Sequence, residues 1–347
     1  MKQGLWFHAG LLGAAVIVAY LVWTGKPDDK KEQPVLVALD AADVAGILYT
    51  WPEGENRVVP EGKGADRSYR VESAVDVKKP ASRPATQPAS APATQPELAS
   101  SAPAAPEPIV ERERSQFPAG SSVLKTLEAL APLKALRTLG KLDDERLERM
   151  GLAEPKRTLT VEAGGRSYTL ELGETTYGGQ GRYARLRGKP EVHLIANSTV
   201  LALEGSAVRL MEWRLVPVEL EHIVAIDVRS GARAATFTQV ERAQEAKRHF
   251  ALATAPEERS DEATNLVAKL RALRASKYLN QEPAPGGATE AAAFAVKLDN
   301  GAPLALQVYE RADGKGYQVR AGRWLAEVAE AQARELVEGA TAVLPAP

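Results

Sequence analysis

The residues able to do chemistry are few and scattered. Four histidines are present: His8, His193, His222 and His249. The last three sit in strand-like runs reading EVHLI, LEHIV and KRHFA. No two stand at the i, i+4 spacing that puts two imidazoles on one helix face, and no H-E-x-x-H occurs. With 0 cysteines, disulfides, thiolate metal sites, a lipid-bearing cysteine and a cysteine nucleophile are all excluded. No G-x-S-x-G elbow is present to carry a nucleophilic serine. Gly178, Gly179 and Gly181 resemble a phosphate cradle, but such a cradle opens onto a helix N-terminus with Lys and Ser/Thr. Here Arg182 and Tyr183 open a strand, which fits a glycine hairpin turn. Asp143, Asp144 and Glu145 read as the capped, dipole-stabilised start of a helix. Their other reading, a carboxylate pair for hydrolysis, needs a second acid across a cleft. Asn197-Ser198-Thr199 is a lone sequon. Lys269, Arg271 and Arg274 read as a solvated helix face, with docking as the alternative. No catalytic, cofactor-binding or metal-binding residue is assigned, and a non-enzymatic protein without cofactor is expected.

The elements that would carry these residues follow from periodicity. Strands are expected at 35–39, 45–51 and 68–71. A helical stripe of Val123, Leu124, Leu127, Leu130, Leu133, Leu136 and Leu139 predicts a helix over 122–139, interrupted by Pro132. A second helix over 143–150 would be closed by Gly151. Alternation at 158–161 and 167–172 around Gly164 and Gly165 predicts a hairpin. Strands at 182–186 and 191–195 follow. The second half runs through the same order again: strands at 222–228, 234–240 and 249–253, then a helix over 261–273 through Leu266, Leu270 and Leu273. A hairpin of 293–298 with 304–309, around Asn300 and Gly301, comes next, with strands at 317–321 and 323–328 and a helix over 330–338. Identity between the halves is low, but the order matches.

The expected fold class is α+β: two tandem similar lobes of antiparallel strands with packed helices, after one N-terminal transmembrane helix. The lobes comprise 35–77 plus 119–212, and 213–347. Inside the first lobe, 78–118 is a Pro/Ala-rich tract with Pro80, Pro84, Pro88, Pro92 and Pro96 at every fourth position. It has too few large apolar residues for a core, so a disordered insertion inside the first lobe is expected, polyproline II being its natural local form. A spacer and a proline-recognition ligand are its two functional readings.

Within the run from Gly4 to Thr24, Leu5 to Trp23 is apolar apart from His8 and Tyr20, and about 20 such residues cross a hydrocarbon core. Its bulky end, Tyr20 to Trp23, suits a cleavage site badly, and Trp6 and Trp23 mark its two ends. An uncleaved anchor over 1–25 is expected, single-pass in a bacterial inner membrane. Lys26, Lys30 and Lys31 favour a cytoplasmic C-terminal side, but the long spacer favours a periplasmic soluble part, which is the expectation adopted. A net charge of −1 gives no electrostatic case for nucleic acid.

The motif set resembles the domain-of-unknown-function 4340 family. The corresponding residues are Asp43, Val44 and Ile47 on a strand, and Gly151, Leu152 and Pro155 after a helix. Thr158 to Val161, Gly164, Gly165 and Tyr168 to Leu170 form a hairpin, and Tyr183 to Leu186 a strand. Members carry an N-terminal membrane segment and are often encoded beside gliding-motility-type ABC transporter components. The resemblance implies a non-enzymatic accessory or interaction module of such a system, with ABC-type permease or ATPase subunits as protein partners, and no known activity or site residues. The alternative is an envelope protein binding a small ligand or glycan. An aromatic-lined cleft between the lobes, including Trp213 or Trp324, would favour it.

Overall fold

The computed structural model describes residues 33–62, 64, 67–79, 109–205, 207–279, 287–314 and 316–345. The expected anchor over 1–25 lies outside them, as do residues 80–108 of the Pro-rich tract. Among the described residues no helix is long and apolar enough to cross a membrane.

The first lobe holds β1 (Val35–Val37), β2 (Val44–Trp51), β3 (Gly54–Glu61), β4 (Ser68–Lys79) and β5 (Ile109–Pro118). Helix α1 (Ser121–Leu130), β6 (Leu133–Lys134), β7 (Arg137–Lys141) and α2 (Asp144–Arg149) follow. Then come β8 (Arg157–Ala163), β9 (Arg166–Thr175), β10 (Gly181–Leu186), β11 (Glu191–Ala196) and α3 (Ser198–Leu201). The second lobe holds β12 (Ile223–Ser230), β13 (Arg233–Val240), β14 (His249–Leu252), β15 (Arg259–Ser260), α4 (Asp261–Ala272) and β16 (Ala275–Leu279). It ends with β17 (Thr289–Leu298), β18 (Leu304–Glu310), β19 (Tyr317–Ala321), β20 (Trp324–Val328) and α5 (Glu330–Val343).

Two nine-stranded antiparallel sheets result, ordered β5-β4-β3-β2-β8-β9-β10-β11-β7 and β15-β14-β13-β12-β17-β18-β19-β20-β16. The chain is mostly β with few helices, the coarser form of the α+β expectation. The two orders are one topology. Register shows the same: Ile47 opposes Val58 and Val161, and Ile226 opposes Phe237 and Val296. The likeness extends to each lobe's entry. Ala135 N–H donates to Pro34 O at 2.9 Å, and Ala275 N–H to Trp213 O at 2.8 Å. Pro34 and Trp213, Ile47 and Ile226, and Val58 and Phe237 all stand at one constant offset.

Each sheet buries one face under its helices. Val123, Leu127 and Leu130 of α1 and Leu266, Val267 and Leu270 of α4 are buried at helical spacing. Each such side chain contributes about 1.5–3 kcal/mol relative to exposure. Ser260 caps α4, its hydroxyl accepting from Ala263 N–H at 3.1 Å. Helix α5 runs beyond the expected 338 because Ala340 is still buried and Gly339 lets it approach Leu266 closely.

Three expectations are corrected. The helix over 122–139 stops at Leu130. Ala131 is already extended and Pro132 offers no N–H, so Leu133 and Leu139 lie on β6 and β7, while Leu136 is 44% exposed. Strands β3 and β5 were not foreseen. The boundary of the Pro-rich insertion, expected over 78–118, moves inward: Lys78 and Lys79 end β4, 109–118 is β5, and Lys79 faces Ile109 in their ladder. The tract therefore joins two neighbouring strands of one sheet.

Candidate functional site

The residues singled out by type are kept apart in space. His193 Nδ1 lies 3.1 Å from Thr138 Oγ1, His222 Nδ1 3.2 Å from Asp299 Oδ1, and His249 Nδ1 2.8 Å from Lys247 O. Among the described residues no group of His, Cys, Asp and Glu is placed to hold a metal ion. Gly178 and Gly179 take positive φ in the β9–β10 turn, as a hairpin requires. Asp143 caps α2, accepting from Arg146 N–H at 2.9 Å. Asn197 is buried and donates to Gly179 O. Lys269 pairs with Glu335 and Arg271 with Glu219, so that helix face is engaged within the molecule.

What the fold does assemble is a cleft between the lobes. Its wall comes from the main departure between the two repeats. In the first lobe the β4–β5 ladder continues from Val71 opposite Phe117 to Lys79 opposite Ile109. In the second lobe β14 stops at Leu252 and the chain turns back at Arg259. The extra length forms an arm, and its outer strand β5 meets β16, the edge of the other sheet. Glu113 reaches Lys277 there at 3.9 Å, and Glu61 of β3 pairs with Arg323 of the β19–β20 turn, also between the lobes.

The cleft is about 530 Å³, lined by Trp51, Val75, Val77 and Phe117 of the first lobe, Met211 and Trp213 of the connector, and Tyr278 of β16. Glu53, Glu113, Ser115, Ser276 and Lys277 supply polar groups. Tyr278 donates to Glu212 O at 2.8 Å, and Trp324 packs edge-on against its ring at 5.9 Å. Burial, and then Glu212, push the Tyr278 phenol up, so it stays a neutral donor. Trp213 is half-buried, its indole N–H held by Val208 O at 3.1 Å.

A half-buried charge cluster ties down the connector that supplies this wall. Arg157 Nε donates to Glu204 Oε1 at 2.7 Å, and Arg182 Nη1 lies 2.9 Å from Glu204 Oε2. Tyr49 donates to the same Oε2 at 3.0 Å and accepts from Arg182 at 3.1 Å. Asn56, fully buried, donates to Leu203 O at 2.7 Å. Burial alone would raise the Glu204 carboxyl, but the Arg157 hydrogen bond and the Arg182 charge outweigh it, and the pKa is lowered. Burial raises the Tyr49 phenol, with Glu204 adding to it. The second lobe puts Val228 where Tyr49 stands and covers its sheet with the long α5. Helix α3 has only four residues, and in the first lobe Glu204 meets Tyr49 instead.

Sequence reading singled out Trp213 and Trp324 but neither Trp51 nor Tyr278, and not the Glu204 cluster. One signal was available: Arg182 shares the inward parity of Ala184 on β10, a position where a charge requires a partner.

A family model described as a domain of unknown function, DUF4340, matches residues 113–295, more than half of the chain. The chain belongs to this family. The match begins on β5 and ends on β17, so it crosses the junction between the lobes. It takes in Phe117, Met211, Trp213 and Tyr278 of the cleft, and Arg157, Arg182 and Glu204 of the cluster beside it. Of the motif residues, Gly151, Leu152, Pro155 and Tyr183 lie inside the matched range, whereas Asp43, Val44 and Ile47 precede it. No curated protein and no solved structure matches the chain.

Proposed function

We propose that this is a non-enzymatic, membrane-anchored envelope protein acting as an accessory or interaction module of a gliding-motility-type ABC transport system, and that it engages its partner through the interlobe cleft. The observation that carries the binding reading is the cleft itself. Aromatic and aliphatic side chains from both lobes converge there, beside hydroxyl and charged groups, the composition of a recognition surface. The system assignment rests on the family resemblance, and the envelope location on the apolar run from Gly4 to Thr24.

Affinity purification of the full-length chain from its native membranes in mild detergent, with mass spectrometry, tests this. Recovery of ABC permease or ATPase subunits, lost on Trp213→Ala while the fold persists, supports the proposal. A solitary protein under the same conditions overturns the accessory role. Trp213, half-buried on the cleft wall, favours a second reading, a small ligand or glycan stacked in the cleft. A ligand screen read by tryptophan fluorescence addresses it.

A further inference from the structure

We infer that the outer face of the β1–β6 pair rests on the membrane surface, against anionic lipid headgroups. This goes beyond the proposed function, which gives the lobes no lipid contact, and it rests on that reading in one respect, the anchor between Leu5 and Trp23. The first support is position. The chain takes 12 steps from Trp23 to Val35, so at about 3.5 Å per residue β1 is held within about 40 Å of the bilayer. The second is what the face presents. Val35 opposes Lys134 in the ladder. Burial alternates from Leu133 to Leu136, so Lys134 and Leu136 share the outer side. Val35 is 53% exposed and Leu136 44%, and Lys134 and Arg137 beside them are exposed as well.

Single apolar side chains on a surface are ordinary, but the internal repeat sets these two apart. Val35 stands to Arg214 as Pro34 does to Trp213, and its pairing with Lys134 recurs as the bridge of Arg214 to Arg274. Leu136 stands to Ser276 as Ala135 does to Ala275. In the second lobe every one of these positions is polar and engaged. Arg214 pairs with Glu212 and Glu219, Ser276 donates to Glu327 O at 3.0 Å, and Lys277, the counterpart of Arg137, meets Glu113. The lobe next to the anchor has Val35 and Leu136 instead and keeps the cations as Lys134 and Arg137, neither in an ion pair among the described residues. Apolar side chains between unpaired cations match a headgroup layer. The former enter the acyl boundary and the latter meet anionic phosphates. So small a patch binds weakly by itself, but a short tether holds it at an effective concentration on the millimolar scale.

The test uses the full-length chain in vesicles of phosphatidylcholine and phosphatidylglycerol. The chain has 0 cysteines, so Leu136→Cys carries a single nitroxide spin label. Gly301→Cys, in the β17–β18 turn of the second lobe where an added Cβ meets nothing, carries the control label. Accessibility to oxygen, which concentrates in lipid, relative to a water-soluble nickel chelate should be at least about threefold higher at Leu136 than at Gly301. Lys134→Glu with Arg137→Glu, both at exposed positions, should erase the difference. Equal ratios at the two positions overturn the inference. A difference that survives the charge reversal overturns it too, since the tether alone then accounts for it. A label shielded in native membranes but not in lipid vesicles gives the face to a protein partner and likewise overturns it. Alkaline carbonate extraction separates this outcome from failure of the anchor. A chain that stays with the vesicles while Leu136 reads as aqueous refutes the docking alone, whereas a chain washed away refutes the anchor and the docking with it. Should the Leu136 label disturb the fold, Val35→Cys repeats the measurement from the other strand.

Discussion

Replacing Glu204 by alanine should destabilise the first lobe and loosen the connector that walls the cleft. The carboxylate faces two guanidinium groups and one phenol, with side-chain exposures of 20% for Glu204, 7% for Arg182 and 27% for Arg157. Removing one partner from a fully buried ion pair costs 3–5 kcal/mol, mostly through the charge left behind. Arg157 is partly wetted, so the lower end applies, about 3 kcal/mol. For a chain of this size that lowers the melting temperature by about 6–12 °C, at about 2–4 °C per kcal/mol. Thermal and denaturant unfolding of the full-length protein read it directly. The combined change Tyr49→Phe, Arg182→Met and Glu204→Leu should recover most of the loss, because an apolar replacement leaves only the wetted Arg157 charge.

The same residue gives a pH signature. The Glu204 carboxyl is held below its ordinary value of 4.5, so the unfolded chain takes up its proton more readily than the folded one. Its contribution is complete above that value and is lost as the pH falls through the folded pKa. Glu204→Gln should flatten stability over that window. A loss below about 1 kcal/mol for Glu204→Ala, the scale of an exposed pair, with no change in the acid limb, would refute this reasoning.

Excising 80–108 and closing Lys79 to Ile109 with a four-residue turn should stabilise the fold by about 1.5–2 kcal/mol of chain entropy, since loop closure costs about 0.6 kcal/mol per doubling of length. Denaturant midpoints measure it. Gly173→Ala should cost about 3 kcal/mol, because the added Cβ would lie 2.1 Å from Met150 O, a backbone atom that cannot swing aside; calorimetry checks it. Burial, opposed by Glu191, lowers the His193 pKa from 6.5. Its contribution is therefore present above 6.5 and lost as the pH falls below it, and His193→Gln should remove that part of the pH profile in unfolding experiments.

How far the chain could be read from its residues depended on where the signal lay. The Gly164-Gly165 hairpin, the Asp143 cap and the repeated order of elements were legible, because turn chemistry and apolar alternation are local. Strand β5, IVERERSQFP, was not. As an edge strand it is exposed from Val110 through Arg114, so no alternation marks it. Strand β3 contains Pro60, which demotes a strand by local rules. The stripe through Leu139 misled because leucines on β6 and β7 fell by coincidence at helical spacing beyond Pro132. An interlobe cleft was expected at Trp213 or Trp324, of which only Trp213 lines it, and the Glu204 cluster was not expected at all: Tyr49 and Glu204 are 155 positions apart, and only the closed sheet brings them together.

The arm also bears on how many lobes such a tandem can hold. In stacked repeat proteins each unit offers its neighbour the surface it accepts from the unit before, and growth has no internal stop. Here the contact is one-way. The first lobe extends β4 and β5 to reach β16, while the second ends the equivalent strands after four and two residues. It receives the arm and has none of its own to pass on, so the contact terminates after a single step. The asymmetry that opens a cleft is also what makes two similar lobes a closed pair.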